Sequence, residues 1–365
     1  MNAREYYYTV LAPDEAGLSY AALHLEADGR HSTYYEEHER PTEEQWAAIF
    51  RHVPEHSNDA LLEDVFKKIV DRSPVRLRPR LNNMFIAKKR DFRPIAGAYY
   101  FNDSYEGELI RFNVGLSDAC LQYSTLFADF LNLLRAQARR SNGEPVPEFS
   151  RLSERVARHA GQLAELQVRW SKIAGVVALD ENYLPTSPDS LEYAIKTAVL
   201  TDYFILAHEI AHHLLAHTGA ENSAGEMLAN IPEWAQDWIR VKTSHAVEFQ
   251  ADALAVLLLT GSGSQREKSD IVFEQRVWEA AIGSMLALTV IGQFADDAEN
   301  DTDTHPSIRS RFSAVGRVLA SLNAHAFRDA VEDILPFQQL LFRFQRRGIG
   351  SWDAQFTQSL TNSKR

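Results

Sequence analysis

Residues 207–217 read AHEIAHHLLAH, and this stretch constrains the fold of the segments around it. His208 and His212 are four positions apart, so on a helix they share one face, about one turn from each other. The residues before the stretch, YFIL, and those near its end, LLA, are apolar, which predicts a buried helix. Buried polar and charged side chains are costly unless they are paired or bind a metal ion. We therefore predict a buried helix that carries a metal site.

The spacing of this HExxH motif suits a zinc ion. Two imidazoles one turn apart can reach the same ion, and Glu209 can reach a water molecule on it. A helix with solvated histidines is the alternative, and the apolar flanks disfavour it. A catalytic zinc usually has three protein ligands and one open position. The third histidine of the short pattern HExxHxxGxxH is absent here, because position 218 is threonine.

A candidate third ligand lies downstream, in SHAVEFQADAL at residues 244–254, where the next helix is predicted. Glu248 and Asp252 are four apart and so share a helical face. We predict that Glu248 is the third zinc ligand and that Asp252 orients a ligand imidazole by accepting its distal N–H. The alternative is a pair of surface acids, but apolar neighbours such as Phe249 and Leu254 indicate that one side is buried.

HExxH followed on a later helix by ExxAD resembles the gluzincin zinc metallopeptidases, specifically the CAAX-prenyl-protease and HtpX branch. The Thr-His-Pro-x-x-x-x-Arg stretch of that branch is matched by Thr304, His305, Pro306 and Arg311. The resemblance covers residues 208–312 and implies a zincin-like helical core with a short sheet and peptide-bond hydrolysis. It also implies that His305 approaches the reacting carbonyl, although a helix-capping role for His305 stays open. The chain has a weaker resemblance to the Lit-type phage-exclusion proteases.

The predicted reaction is hydrolysis of a peptide bond by a zinc-activated water. Glu209 would take the proton as water attacks and pass it to the leaving amine. The second donor to the oxyanion would be His305 or a tyrosine of the 95–116 hairpin. Two alternatives stay open. One is a zinc amidohydrolase that acts on a small substrate. The other is a nucleic-acid- or protein-binding module with a structural or vestigial zinc site, which would use the basic segment 72–94.

Composition limits the class of protein. The chain has 365 residues, 45% of them hydrophobic, and a formal net charge of −12, which indicates a globular, acidic protein that disfavours nucleic acid and anionic membranes. Its single cysteine, Cys120, cannot form an internal disulfide. We see no signal-peptide pattern, and the apolar stretches 194–207 and 280–295 predict core helices. We expect a cytoplasmic protein with a protein or peptide substrate, no membrane, and a regulatory partner or trigger.

The predicted fold class is mainly α (α+β), with a small β-sheet or hairpin beside the catalytic core. The predicted units are an N-terminal α/β region over 1–94, a metallopeptidase domain over 95–320 and a helical C-terminal segment over 321–365. We expect a strand at EYYYTVL (5–11), and a boundary or exposed arm at 72–94. A hairpin is predicted over 95–116. Helices are predicted over about 58–70, 117–140, 150–177, 187–216, 233–260 and 269–294.

Overall fold

The structure is a computed structural model that describes residues 2–12, 55–91, 93–99, 105–170, 188–218, 236, 245–262, 271–294, 301 and 306–345. This part of the chain is mostly helical, with a small sheet, which confirms the predicted fold class. Its helices are α1 (Ala3–Tyr6), α2 (Ala60–Arg72), α3 (Arg78–Leu81), α4 (Val114–Ser141), α5 (Phe149–Trp170), α6 (Pro188–Leu214), α7 (Ala246–Thr260), α8 (Ile271–Phe294), α9 (Ile308–Leu322) and α10 (Ala324–Gln345). Its strands are β1 (Met84–Lys89), β2 (Ala96–Tyr99) and β3 (Glu108–Asn113).

Helix α6, which carries the HExxH motif, lies at the centre of the helical part. Helices α4, α7 and α8 pack against it, and its sequence is apolar on nearly every side, as expected for a helix surrounded by protein. The contact with α8 depends on Gly283, because a Cβ atom there would lie 2.3 Å from the carbonyl oxygen of Leu200. The backbones of α6 and α8 can therefore approach each other closely.

The sheet has the strand order β1-β3-β2. Strand β2 runs antiparallel to β3, with Ala98 opposite Ile110, so the hairpin predicted over 95–116 is confirmed. Strand β1 runs parallel to β3, with Ile86 opposite Ile110. The sequence did not predict β1, because its four buried residues, MFIA, lie inside the basic segment.

Residues 72–94 were predicted to form a boundary or an exposed arm, and the exposed arm is wrong. The apolar letters of β1 are buried in the sheet, and neighbouring groups bind several of the cations around them. Arg80 pairs with Glu108 at 2.7 Å and donates to the carbonyl of Leu214 at 3.1 Å. Lys88 pairs with Asp59 at 3.1 Å. These side chains form ion pairs and hydrogen bonds within the fold. Fewer cations of this segment are therefore left to form the basic surface that a nucleic-acid-binding module would need.

The predicted strand at residues 5–11 is also wrong. Helix α1 is followed by a π-helical turn, Tyr7–Leu11, and Asn2 and Glu5 form a capping box at the start of α1. Tyr7 and Tyr8 are both buried, and each ring centroid lies 6.0 Å from that of Phe85 on β1. A strand would direct two consecutive side chains to opposite faces, whereas a helical turn allows both tyrosines to pack on the sheet.

With one exception, the other predicted helices are confirmed where the structure describes them. Helices α2, α4 and α8 begin and end within about three residues of their predicted bounds. The predicted helix over 233–260 is confirmed only from Ala246 to Thr260: His245 is the non-helical N-cap of α7, so the prediction of one continuous helix from residue 233 is wrong. The unit boundaries at 94/95 and 320/321 stay predictions.

One described helix, α8, is long and apolar enough to cross a membrane, with a mean hydropathy of 1.4 over its most apolar window. In the structure 78% of that window is buried inside the protein. The burial agrees with the prediction that residues 280–295 form a core helix.

Candidate metal centre and active site

Helices α6 and α7 bring together the three predicted metal ligands, His208, His212 and Glu248. One ligand atom from each lies within 4.8 Å of the others. The Nε2 atoms of the two histidines are 3.0 Å apart, which places both imidazoles around one point. The Glu248 oxygens lie 3.5 Å from Nε2 of His208 and 3.7 Å from Nε2 of His212. The i, i+4 spacing on α6 therefore produces the predicted juxtaposition, and α7 supplies the carboxylate.

Asp252 lies behind this cluster and is fully buried. Its Oδ1 is 2.9 Å from Nδ1 of His208, the contact expected of a group that orients this imidazole. Arg311 of α9 binds the same carboxylate through two hydrogen bonds, from Nη2 to Oδ1 at 2.7 Å and from Nε to Oδ2 at 2.8 Å. Its Nη1 also lies 3.3 Å from Oε2 of Glu248. Arg311 thus connects both acids of α7.

No role for Arg311 followed from the sequence, where it was only the last residue of the Thr-His-Pro-x-x-x-x-Arg stretch. A signal was present in the pattern of α9. Ile308, Phe312 and Val315 repeat at helical spacing and are buried, and Arg311 lies on that same face. A cation at a core position needs an acid partner, so the pattern predicts one in the protein interior.

The two ligand histidines have opposite electrostatic environments. Burial by itself would lower the pKa of His208, but its contacts with Asp252 and Glu248 raise the pKa to about 10. Burial and the neighbouring His208 lower the pKa of His212 to about 3. Burial would raise the pKa of Glu248, yet His208 and Arg311 hold it well below its usual range. Glu248 therefore stays ionised, which is the form of a carboxylate that binds a metal ion.

Glu209, the predicted general base, contacts the edge strand of the sheet. The backbone N–H of Ala98 on β2 donates to its Oε2 at 2.7 Å. Burial raises the pKa of Glu209, and the charge of Glu248 raises it further. The sequence indicated that the hairpin lies near the motif but did not identify this contact, which joins residues 111 positions apart.

A cavity of 620 Å³ opens over the cluster. Its lining combines the His208, Glu209, His212 and Glu248 side chains with an apolar part, which includes Leu116, Phe204, Ile205, Val247 and Ile291. Strand β2 forms another wall. The N–H of Asn113 on β3 donates to the carbonyl of Ile95, just before β2, at 3.0 Å. Since hydrogen-bonded positions alternate along an antiparallel strand, the backbone groups of Ala96 and Ala98 point away from β3, toward the other edge of β2. No other described strand pairs with this edge of β2, which borders the cavity.

A family model described as Peptidase U49 matches residues 121–330, which is more than half of the chain. The chain belongs to the peptidase U49 family. Comparisons with curated proteins and with solved structures found no significant match. The U49 region contains the HExxH motif, Glu248, Asp252 and Arg311, so the cluster lies within the part that identifies the chain as a peptidase. Strand β2 precedes the matched region.

The U49 region also contains two further histidines next to the motif, His213 and His217. His213 is buried, and its Nε2 lies 2.9 Å from the carbonyl oxygen of Leu109 on β3. His217 lies 3.1 Å from His212, Nδ1 to Nδ1, and its Nε2 is 3.1 Å from Oε1 of Gln250. His217 is thus placed to orient His212 as Asp252 is placed to orient His208.

A tight turn at the end of α6 places His217 there. The helix ends at Leu214, two residues before the predicted end, and Ala216 adopts a left-handed conformation with φ 58°. The N–H of His217 donates to the carbonyl of His212 at 2.9 Å, and that of Ala216 donates to His213 at 3.0 Å. This pair of bonds is the Schellman arrangement, which reverses the chain over the last helical turn.

The predicted oxyanion donors of this U49 peptidase are not in the described cavity lining. His305 and Thr304 lie outside the described residues. Tyr99 of the hairpin stacks on Arg111, whose guanidinium is 4.8 Å from the ring centroid, and is absent from the described lining of the cavity. The roles of His305 and of a hairpin tyrosine stay predictions.

Proposed function

We propose that this U49 peptidase is a zinc-dependent endopeptidase in which His208, His212 and Glu248 hold the metal and Glu209 is the general base. The observation that carries the proposal is the convergence of two imidazole nitrogens and a carboxylate within 4.8 Å of one another, at the floor of a cavity. Membership of a peptidase family supports the hydrolysis of peptide bonds.

The donor set fits zinc. Two histidines and one glutamate form a three-ligand set used by catalytic zinc sites, which keep a further position open for water or substrate. A structural site would usually have four ligands and be rich in cysteine, whereas Cys120 is buried on α4 and is not a member of the cluster. The contacts of Asp252 and His217 with the distal nitrogens support the assignment, because ligand imidazoles are usually oriented in this way. When bound, zinc supplies Lewis-acid polarisation of a carbonyl group and lowers the pKa of water.

Glu209 is in position to move the proton. Its Oε2 accepts the N–H of Ala98, which holds the carboxylate against the edge of β2. Its Oε1 has no partner among the described residues and can accept a proton from the attacking water. The same oxygen can then deliver that proton to the nitrogen of the leaving amine, which balances the hydrolysis.

The edge of β2 supports an extended peptide as substrate. The N–H of Ala98 is occupied by Glu209, but the backbone groups of Ala96 and the carbonyl of Ala98 are also directed toward the cavity, so a peptide strand could pair with them and lie across the cluster. Recognition through the backbone would tolerate many side chains, while the apolar part of the lining would accept a hydrophobic one.

Metal content tests the proposal directly. We expect about one zinc per chain in the wild type by elemental analysis, and its loss in Glu248→Ala. Glu154→Ala, the same substitution at an exposed position of α5, should keep the metal. Glu209→Gln should keep zinc and lose hydrolysis of an extended-peptide library. A wild type that takes up no zinc after reconstitution, or a Glu209→Gln variant with full activity, would contradict the assignment.

A further inference from the structure

A second cavity, of 310 Å³, lies among helices α2, α6, α7 and α8. Helix α6 contributes Lys196 and Tyr203 to it, whereas His208 and His212 of the same helix line the active-site cavity. At about 100° per residue these two pairs lie on opposite faces of α6. No described residue lines both cavities. The second cavity is therefore distinct from the candidate metal centre.

The lining of this cavity is basic. It contains four cationic side chains and one acidic one, namely Lys68, Arg72, Lys196, Arg276 and Glu279. They come from α2, α6 and α8, so tertiary packing, and not a run of charges in the sequence, assembles them. The whole chain has a formal net charge of −12, which makes a local excess of positive charge unusual. Such a cavity attracts anions.

The single carboxylate neutralises little of this charge. Nζ of Lys196 lies 3.7 Å from Oε1 of Glu279. Nζ of Lys68 lies over the ring of Tyr203, 5.6 Å from its centroid. Among the described residues neither ammonium group lies closer than 3.7 Å to a carboxylate oxygen, so both can turn toward a ligand.

The two arginines lie close together. Arg72 donates from Nη1 to the carbonyl of Leu259 at 2.7 Å, at the end of α7. Gly261, whose backbone is left-handed with φ 71°, lies between them. A Cβ atom on Gly261 would be 3.3 Å from Nη1 of Arg276 and 3.5 Å from Cβ of Arg72. Within the described part of the chain, Arg276 has no carboxylate in salt-bridge range. Burial lowers the pKa of Arg72, and the charge of Arg276 lowers it further.

We propose that this cavity binds a small phosphate-bearing anion, held by the guanidinium groups of Arg276 and Arg72 with Lys68 and Lys196 completing the positive wall. The planar fork of arginine matches the oxygens of a phosphate group and binds them bidentately. An excess of three positive charges suits a diphosphate or phosphomonoester better than a single carboxylate. The volume of 310 Å³ accommodates a ligand of that size.

Isothermal titration calorimetry of the full chain with inorganic pyrophosphate, at low ionic strength, tests the proposal. We expect one class of site in the wild type and a Kd raised roughly tenfold or more in Arg276→Gln, because a charge-assisted hydrogen bond is lost. Arg276 is partly exposed, so the variant should keep the Tm of the wild type. Lys68→Gln should weaken binding in the same direction.

Two control variants test whether the pyrophosphate binds in the second cavity itself. Arg151→Gln, the same substitution at an exposed position on α5, should leave the Kd unchanged. Glu248→Gln should also leave the Kd unchanged if pyrophosphate binds in the second cavity. Pyrophosphate that binds instead to a metal ion at the candidate metal centre should show a changed Kd in this variant. Absence of binding to the wild type, an equal Kd in Arg276→Gln, or loss of binding in Glu248→Gln would overturn the proposal.

Discussion

At the scale of single residues, Arg311 determines how the two acids of α7 are arranged. It binds Asp252 through two hydrogen bonds and lies 3.3 Å from Glu248. Its charge lowers the pKa of Asp252 and, together with His208, that of Glu248. Lysine has the same charge but lacks the planar fork, so it cannot make both bonds to Asp252 in the same geometry. We regard Arg311 as a positioning residue that acts through Asp252 and Glu248.

Arg311→Lys should therefore lower zinc affinity by roughly 10- to 100-fold, the range typical for residues that orient metal ligands. Competition with a chelating dye measures this. Arg155→Lys is a matched control, because Arg155 forms a partly buried pair with Asp129 at 2.8 Å, away from the cluster. Both variants should lose stability, but only Arg311→Lys should lose metal affinity. Equal affinity in the two variants would mean that Arg311 is merely structural.

At the scale of secondary-structure elements, the end of α6 contains a strained turn that serves the site. Ala216 has φ 58°, a conformation that costs an L-residue about 1–2 kcal/mol and that glycine adopts freely. The turn carries His217 back to His212, where their Nδ1 atoms are 3.1 Å apart. The turn thus allows a contact with His212, one of the proposed zinc ligands.

Ala216→Gly should relieve this strain and raise the free energy of unfolding by about 0.5–1 kcal/mol. Denaturant titration measures the change. Ala157→Gly, the same substitution inside α5, should instead lower the stability by about 1 kcal/mol, because glycine is a poor helix former. If both variants lose stability alike, the turn at Ala216 is not strained.

The elements differ in how well the sequence predicted them. Alternating and aromatic residues predicted the hairpin of β2 and β3, whose pairing is local in the chain. The parallel partner β1 was missed, because it lies among eight basic residues that resemble a solvated segment. Partners for Arg80 and Lys88 are far away in sequence, so no local pattern shows that these cations are neutralised.

At the scale of the whole molecule, the cluster connects separate parts of the helical core. His208 and His212 lie on α6, Glu248 lies on α7, and Arg311 of α9 binds the acids of α7. A ligand that binds the folded chain and not the unfolded one stabilises it by mass action. A bound metal ion should therefore hold α6 and α7 together.

Removal of the metal with a chelator should lower the Tm of the wild type by roughly 10 °C, as expected for the loss of about 4 kcal/mol of binding free energy. Differential scanning calorimetry with and without chelator measures the shift. Glu248→Ala, which lacks a ligand, should show the same Tm in both conditions. A wild type that loses its zinc without any change in Tm would contradict the view that the metal joins these helices.

The sequence by itself determined the motif helix, the acidic pair of α7 and the mainly helical fold class. These features repeat over three or four residues, and helical geometry converts that spacing directly into a shared face. The family match over residues 121–330 supports the same peptidase assignment.

Only the tertiary structure decided which groups reach this face from elsewhere. Ala98 contacts Glu209 across 111 positions, and Arg311 contacts Asp252 across 59. The second cavity likewise combines charged residues of three helices. Such contacts depend on how buried faces pack against each other, and side-chain periodicity identifies a buried face without identifying its partner.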